Sequence, residues 1–338
     1  MLNYIYQLVS PGIFSVKYSD ENFSEKVVVR PDYMAICHAD QRYYMGHRDA
    51  KVLRKKLPMA LIHECCGHVV YDGTDTYIPG QKVILIPNVP PTNKIEGIYE
   101  NYGKGAHFLS SGYDGFMREF VIMSPDRMVK FEKIEMNIAA ICEFVSVGVH
   151  AIRRLIKAGG KVDGNIGIWG DGSLAYVICC CLRELVPNAK ICVIGKNTAK
   201  LSQFAFAHFT YMADSLPENF EVDSAFECAG GEGSFYAIED IINYINPQGT
   251  VVLMGVSENK IPVNTRNLME KGLVFIGSSR SGREDFLDAV NLMEDYKFQQ
   301  RLCNIIIEDD AVKDINDIHR VFNTDLHTPF KTVFKWDI

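Results

Sequence analysis

Four short stretches of this chain carry chemistry. Residues 37–40 read Cys-His-Ala-Asp, residues 63–66 read His-Glu-Cys-Cys, and a third stretch runs from Cys142-Glu143 to His150; all three hold metal-ligand types. Taken singly each is bland, because a lone His or Cys more often packs or hydrogen-bonds than ligates. The fourth stretch, Gly170-Asp171-Gly172-Ser173-Leu174-Ala175, is a G-x-G-x-x-A sequence that follows the apolar run Ile166–Trp169 and opens the helix-forming run Leu174–Leu185. In that setting Gly170 makes the tight turn, Gly172 lets backbone approach a pyrophosphate, and Ala175 permits close helix–strand packing. The first N–H groups of the helix, at Ser173 and Leu174, then face the anion with the positive end of the helix dipole.

The dinucleotide can be specified further. The next apolar run, Ile191–Ile194, ends in Gly195-Lys196-Asn197-Thr198. A cofactor with a free 2′-hydroxyl is gripped by an acid at this point, whereas a 2′-phosphate calls for a cation and no acid. The acid is missing and Lys196 is present, which favours NADP(H), with Lys196 and secondarily Lys200 as phosphate partners.

The elements that must position these residues follow from periodicity. From Tyr4 to Val129 the chain shows short β-branched segments such as Lys26–Val29 and Gln81–Ile86 between Pro- and Gly-containing turns, and reads as all-β with loops. Residues Asn88–Gly112 form a long stretch rich in Pro, Asn, Tyr and Gly; so long a loop in a compact domain tends to be functional and is expected to reach a site. From Asn137 to Ile156 the pattern turns helical. Thereafter five strand candidates, Asn165–Trp169, Ile191–Ile194, Val222–Cys228, Thr250–Met254 and Leu273–Gly277, alternate with helix-compatible segments. That alternation predicts an α/β domain whose parallel sheet is covered by helices on both faces. A helical stretch around Asp314–Phe322 precedes a strand, Phe330–Trp336, that is expected to return to the first domain. The predicted division is 1–145 with 310–338 for the all-β part, and 146–309 for the dinucleotide-binding part.

Composition narrows the function classes. The chain has 338 residues with 35 Lys+Arg against 42 Asp+Glu, a net charge of −7, and its only short basic run is Arg54-Lys55-Lys56. Binding to nucleic acid through a basic face is therefore excluded as an expectation. No apolar stretch approaches the length of a membrane span, and Met1-Leu2-Asn3-Tyr4 lacks the basic start and apolar run of a signal peptide. A cytoplasmic, reducing location is expected, with most of the ten cysteines acting as packing residues rather than disulfide partners.

Cys37-His38-Ala39-Asp40, His63-Glu64 and Glu143-Phe144-Val145-Ser146-Val147-Gly148-Val149-His150-Ala151, set before the G-x-G-x-x-A unit, resemble the zinc-dependent medium-chain dehydrogenase/reductase family, in particular its polyol dehydrogenase branch. The resemblance covers essentially the whole chain. It implies a GroES-like catalytic domain completed by the C-terminal segment, and a Rossmann domain between. Carried over by position, it implies zinc ligation by Cys37, His63, Glu64 and Glu143, leaving open which glutamate is bound at rest. It also implies that Asp40 orients the ligating His63 and that His38 contacts the cofactor pyrophosphate. Two departures matter. Ala39 stands where relatives relay protons through a Ser or Thr hydroxyl, so protons must travel by water or by another group, for which Tyr43, Tyr44 and Glu64 are the candidates. The loop Asn88–Gly112 has no cysteine where alcohol dehydrogenases hold a structural zinc, so one catalytic zinc per chain is expected.

Longer strings, Cys37–Tyr44, His107–Gly112, Gly115–Phe120, Gly277–Arg283 and Phe330–Trp336, resemble the ribulose-5-phosphate reductase group of that family, which serves teichoic acid synthesis. The implied reaction is reduction of D-ribulose 5-phosphate to D-ribitol 5-phosphate with NADPH. The product would feed a cytidylyltransferase, a functional partner, and the family commonly forms dimers or tetramers. A substrate phosphate needs cationic or fork-shaped donors. The candidates are Arg42 and Arg280 first, then Arg48, Lys104, His107 and Arg283. Competing readings are a zinc NADP(H) dehydrogenase of another polyol or polyol phosphate, and a non-catalytic NADP(H)-binding sensor.

Overall fold

The computed structural model describes residues 1–93 and 95–338. The chain forms two compact units: Met1–Ser146 with Arg280–Ile338, and Val147–Ser279.

The second unit is built on consecutive buried aliphatics. Ile166, Ile168 and Trp169, then Ile191, Val193 and Ile194, then Ala225 and Phe226 are all buried, the signature of strands covered on both faces. Six strands pair in parallel: Asn165–Trp169, Lys190–Gly195, Phe209–Met212, Val222–Glu227, Ile245–Leu253 and Val274–Gly277. Counted in chain order within this sheet, they lie side by side as 3-2-1-4-5-6. The order reverses direction between the first and fourth strands, so both leave a crevice at their carboxyl ends, the place where doubly wound sheets bind nucleotides. The helix Ser173–Leu185 follows the first strand, and every residue from Ala175 to Leu182 is buried, including Cys179, Cys180 and Cys181. The triple cysteine is thus packing.

Five of the six strands match those expected. Phe209–Met212 was not anticipated: it is a four-residue edge strand, short and with its residues exposed or half-buried.

In the first unit, the strands Val27–Ala35 and Glu64–Asp72 pair antiparallel at the centre of a seven-stranded sheet. The C-terminal strand Lys331–Trp336 lies on the other side of Val27–Ala35, with Val333 opposite Ala35, so it does return to this unit. Two short helices, His38–Tyr44 and Ala50–Lys56, interrupt the strands that the sequence led one to expect alone.

The chain re-enters the first unit at Arg280, whereas the sequence placed that crossing at 310. The helices Arg283–Met293 and Tyr296–Cys303 look like further covering helices of the parallel sheet. Their buried Phe286, Phe298 and Leu302, however, belong to the first unit, where Gln299 donates to Lys133 O at 2.8 Å and Arg283 donates to Met128 O at 2.8 Å. Among the described residues no helix is long and apolar enough to cross a membrane. All ten cysteines are free thiols; Cys303 is exposed, Cys37 half-buried and the rest buried.

Candidate metal centre and dinucleotide loop

Strand pairing creates the metal centre. Ala35 stands opposite Glu64 at the end of the antiparallel pair, so Cys37 and His63, just beyond that end, come together. The ligand atoms of Cys37, His63 and Glu64 lie within 4.8 Å of one another. Asp40, fully buried, organises the group. Its Oδ2 accepts from the Cys37 N–H at 3.2 Å and lies 3.4 Å from His63 Nδ1, while its Oδ1 accepts from the Ile62 N–H at 3.1 Å and from Ser110 Oγ at 2.6 Å. With Nδ1 turned to Asp40, the other ring nitrogen of His63 is the one left for a metal.

The backbone before His63 is strained into place. Ile62 has φ 66°, a left-handed conformation that a β-branched residue adopts only when its surroundings impose it. Asp40 holds its N–H, and the Phe116 N–H donates to its carbonyl at 2.8 Å. Gly115 permits this approach, because a Cβ there would lie 2.3 Å from the Ile62 oxygen. The Gly115–Phe120 string is therefore a clamp on the segment that presents His63.

Glu64 is fully buried and meets Lys331, whose Nζ donates to Glu64 Oε1 at 2.5 Å and to Ile36 O at 2.8 Å. Glu64 Oε2 has no hydrogen-bond partner among the described residues. An orphaned, buried carboxylate oxygen beside a thiol and an imidazole is the donor set that Zn²⁺ takes, and three protein donors leave one position open. Glu143, in the first turn of the helix Cys142–Lys157, lies outside the mutually close group but within electrostatic reach of His63 and Glu64.

Burial and charge shape the titration of the cluster. Burial pushes the Glu143 carboxyl up to about 7, with the Glu64 charge adding and His63 and Lys331 opposing. Burial likewise raises Glu64 against the pull of Lys331. For Asp40 burial also acts upward, but His63, Ser110 and the Ile62 N–H outweigh it and hold the carboxyl below its ordinary range. Burial alone would lower His63; Asp40 wins and raises it well above the usual value. Cys65 and Cys66 are buried thiols pushed upward by desolvation and stay out of the cluster.

Sequence reasoning missed Lys331, Ser110 and Phe108. The loop Asn88–Gly112 does reach the centre: Ser110 contacts Asp40, and the Phe108 ring sits 5.3 Å from the His63 ring. The length of that loop and the resemblance string His107–Gly112 pointed to the segment, but neither singled out these two residues. Of the proposed proton carriers, Tyr44 bonds His319 at 2.8 Å amid Phe14 and Phe322, away from the ligands. His38 starts its helix, where burial and the charges of Arg42 and Arg48 lower its pKa. Arg283 is committed to structure, donating to Asp126 O at 2.7 Å and Met128 O, and Lys104 is exposed. His107 packs its ring on Tyr113.

In the second unit, Gly170 has φ 137° and its Cβ would strike the Cys228 backbone at 2.9 Å, so only glycine serves there. Gly172 is the N-cap of the helix Ser173–Leu185 with no side-chain cap, and the space beside its Cα is open. The N–H groups of Ser173 and Leu174 thus stand at an uncapped helix start, which fits a pyrophosphate. Asp171 Oδ2 accepts from the Lys196 N–H at 2.7 Å and the Asn197 N–H at 2.8 Å, tying the loop to the end of the second strand. Lys196 is exposed, with its Nζ 5.1 Å from the Tyr236 ring centre.

A GroES-like unit with a clustered Cys-His-Glu donor set, joined to a Rossmann sheet, defines a zinc-type dehydrogenase. Residues 24–133 match the alcohol dehydrogenase GroES-like domain and residues 185–295 the zinc-binding dehydrogenase domain; the chain belongs to the zinc-dependent medium-chain dehydrogenase family. Within it the chain is 54% identical over 340 residues to the ribulose-5-phosphate reductase of Streptococcus pneumoniae R6, covering 100% of this chain and 98% of the relative. It is 46% identical to ribulose-5-phosphate reductase 1 of Staphylococcus aureus NCTC 8325, covering 99% of each. The crystal structure of S. aureus TarJ in complex with NADPH superposes with a TM-score of 0.89 at 42% identity and full coverage of both chains.

Proposed function

We propose that this chain is a zinc-dependent oxidoreductase that reduces D-ribulose 5-phosphate to D-ribitol 5-phosphate with NADPH. The observation that carries the reading is the Cys37-His63-Glu64 group, with its orphaned, buried Glu64 oxygen, in a chain 54% identical to a ribulose-5-phosphate reductase. When bound, zinc supplies Lewis acidity at the ketone oxygen and NADPH supplies the hydride.

The chain's own residues supply placement and charge. Cys37, His63 and Glu64 hold the metal, and their thiolate and carboxylate balance its two positive charges. Asp40 fixes the tautomer and direction of His63, and Lys331 holds one oxygen of Glu64, so that the other would be the donor to the metal. Glu143 stands beside the group as a second carboxylate that would be available to the metal. Gly170, Gly172, Ser173 and Leu174 receive the pyrophosphate, and Lys196 receives the 2′-phosphate. Ala39 provides no hydroxyl, so the proton for the product oxygen reaches it through water or another group.

In this reading the enzyme works in the cytoplasm as a homo-oligomer. Its product passes to a ribitol-5-phosphate cytidylyltransferase for teichoic acid or capsule synthesis. The test is NADPH oxidation with ribulose 5-phosphate, xylulose 5-phosphate and ribulose by zinc-loaded protein. Ribulose 5-phosphate should give the highest kcat/KM; a clear preference for either alternative would reassign the substrate.

A further inference from the structure

We propose that the substrate's phosphate is bound in the first unit by Arg280 and Lys56, which meet at the turn Phe108–Gly112, with the hydroxyls of Tyr43 and Ser111 as further donors. This inference rests on the functional reading above and names the part of the site that selects a phosphorylated ketose.

The turn connects these cations to the metal centre. Phe108 packs its ring against that of His63, and the Arg280 guanidinium lies over the same Phe108 ring, 5.0 Å from its centre. Arg280 is thus one aromatic side chain away from a zinc donor. Three residues on, Ser111 Oγ accepts from Lys56 Nζ at 2.8 Å, and the Ser111 N–H closes the turn on Phe108 O at 3.1 Å. Lys56 Nζ also donates to Tyr43 Oη at 3.0 Å, and the Arg48 guanidinium lies 4.6 Å from the centre of that ring.

Neither cation is hydrogen-bonded to a carboxylate among the described residues. Among the described residues Lys56 bonds only two hydroxyls, and Arg280 makes no hydrogen bond or ion pair. In a chain of net charge −7, a half-buried arginine and lysine with no carboxylate at hydrogen-bonding distance among the described residues form a cationic pair suited to an anion, and the Glu143 carboxylate reaches Arg280 only through its longer-range charge. Arg280 is held at φ 58°, a left-handed conformation that costs backbone energy in a non-glycine residue and fixes where its side chain departs. A planar fork, a mobile ammonium and two hydroxyls match the oxygens of a phosphate dianion, not those of a neutral sugar. Arg42, the other candidate from sequence, acts electrostatically on His38 instead.

The test uses zinc-loaded, full-length enzyme with NADPH. The ratio of kcat/KM for ribulose 5-phosphate over ribulose is measured in wild type, Arg280→Gln and Lys56→Gln, together with competitive inhibition by inorganic phosphate. Each variant should lower the ratio and weaken phosphate inhibition by about tenfold or more, mainly through KM, and Arg280→Lys should recover part of both. Lys56 lies on the partly exposed helix Ala50–Lys56, so its variant reports even where Arg280→Gln fails to fold. Ratios and inhibition within about twofold of wild type in folded variants would overturn the subsite. A wild-type enzyme with no preference for the phosphorylated ketose would instead bring down the functional reading, and the subsite with it.

Discussion

Lys331 and Glu64 form a buried ion pair that divides the glutamate between two tasks. One carboxylate oxygen takes the ammonium and the other has no partner within hydrogen-bonding reach among the described residues. The pair links the C-terminal strand to the first third of the chain, 267 residues apart, and Lys331 also holds the Ile36 carbonyl next to Cys37. A single side chain therefore positions both arms of the donor set.

Lys331→Met should leave the Glu64 carboxylate buried without a cation. Removing one partner of a buried pair costs about 3–5 kcal/mol, and the zinc-free variant should lose stability of that order in denaturant unfolding. Zinc supplies the missing positive charge, so adding it should raise the variant's midpoint more than that of wild type. Equal zinc-induced shifts would show that Glu64 does not turn to the metal.

Asp40→Asn should weaken zinc binding by about 10–100-fold in chelator competition, because the neutral amide no longer favours the ring orientation that offers the far nitrogen of His63. Metal analysis of wild type should give one zinc per chain. There is no cysteine between Cys66 and Cys142 to build a second site. Cys37→Ser should lose the metal altogether, and retention of a full equivalent would remove Cys37 from the donor set.

Local pattern made the dinucleotide loop legible, since every step from Ile166 to Leu185 is a neighbour in sequence. The metal residues were legible as types, but their roles came from resemblance. What stayed hidden depends on contacts distant in sequence. Lys331 reads as an ordinary polar residue in a strand until the sheet places it against Glu64, and Ser110 reads as one of many loop serines until Asp40 takes its hydroxyl. The early return at Arg280 was hidden for the same reason, because a helix that covers one sheet has the same periodicity as a helix that covers another.

The loop that carries Phe108 and Ser110 is fastened by charge. Glu100 Oε1 accepts from buried Arg127 Nη1 at 2.8 Å and from the Arg283 N–H at 2.8 Å. Arg127→Ala should cost about 3 kcal/mol. It should also speed hydrogen exchange at the Ile98 and Tyr102 amides, which close turns in that loop. Unchanged exchange there would mean that the turns hold without the pair.

Asp223 should give the second unit an acid-sensitive fastening. Burial pushes its carboxyl upward, but the Asn165 N–H, Lys161 and Asn246 outweigh that and hold it below the ordinary carboxylate range. A depressed folded pKa means stabilisation that is present above the unfolded value of about 4 and is lost as pH falls through the folded value. Asp223→Asn should unfold at lower denaturant than wild type at neutral pH, and the gap should close under acid. A gap that persists at low pH would assign the effect to packing.

Cofactor choice tests the end of the second strand. Asp171 fixes the Lys196 and Asn197 amides, so the lysine is placed by backbone, and among the described residues its ammonium has an aromatic ring but no hydrogen-bonded carboxylate. Such a cation is available to a 2′-phosphate, and a hydrogen bond to a charged group is worth about 1.5–3 kcal/mol. Lys196→Ala should therefore raise KM for NADPH by about tenfold or more while leaving NADH unchanged, because NADH has nothing for the ammonium to hold. Lys196→Glu should go further and favour NADH, since a carboxylate repels the 2′-phosphate and accepts from the free 2′-hydroxyl. If both variants keep the wild-type ratio of NADPH to NADH, the discrimination lies in another group.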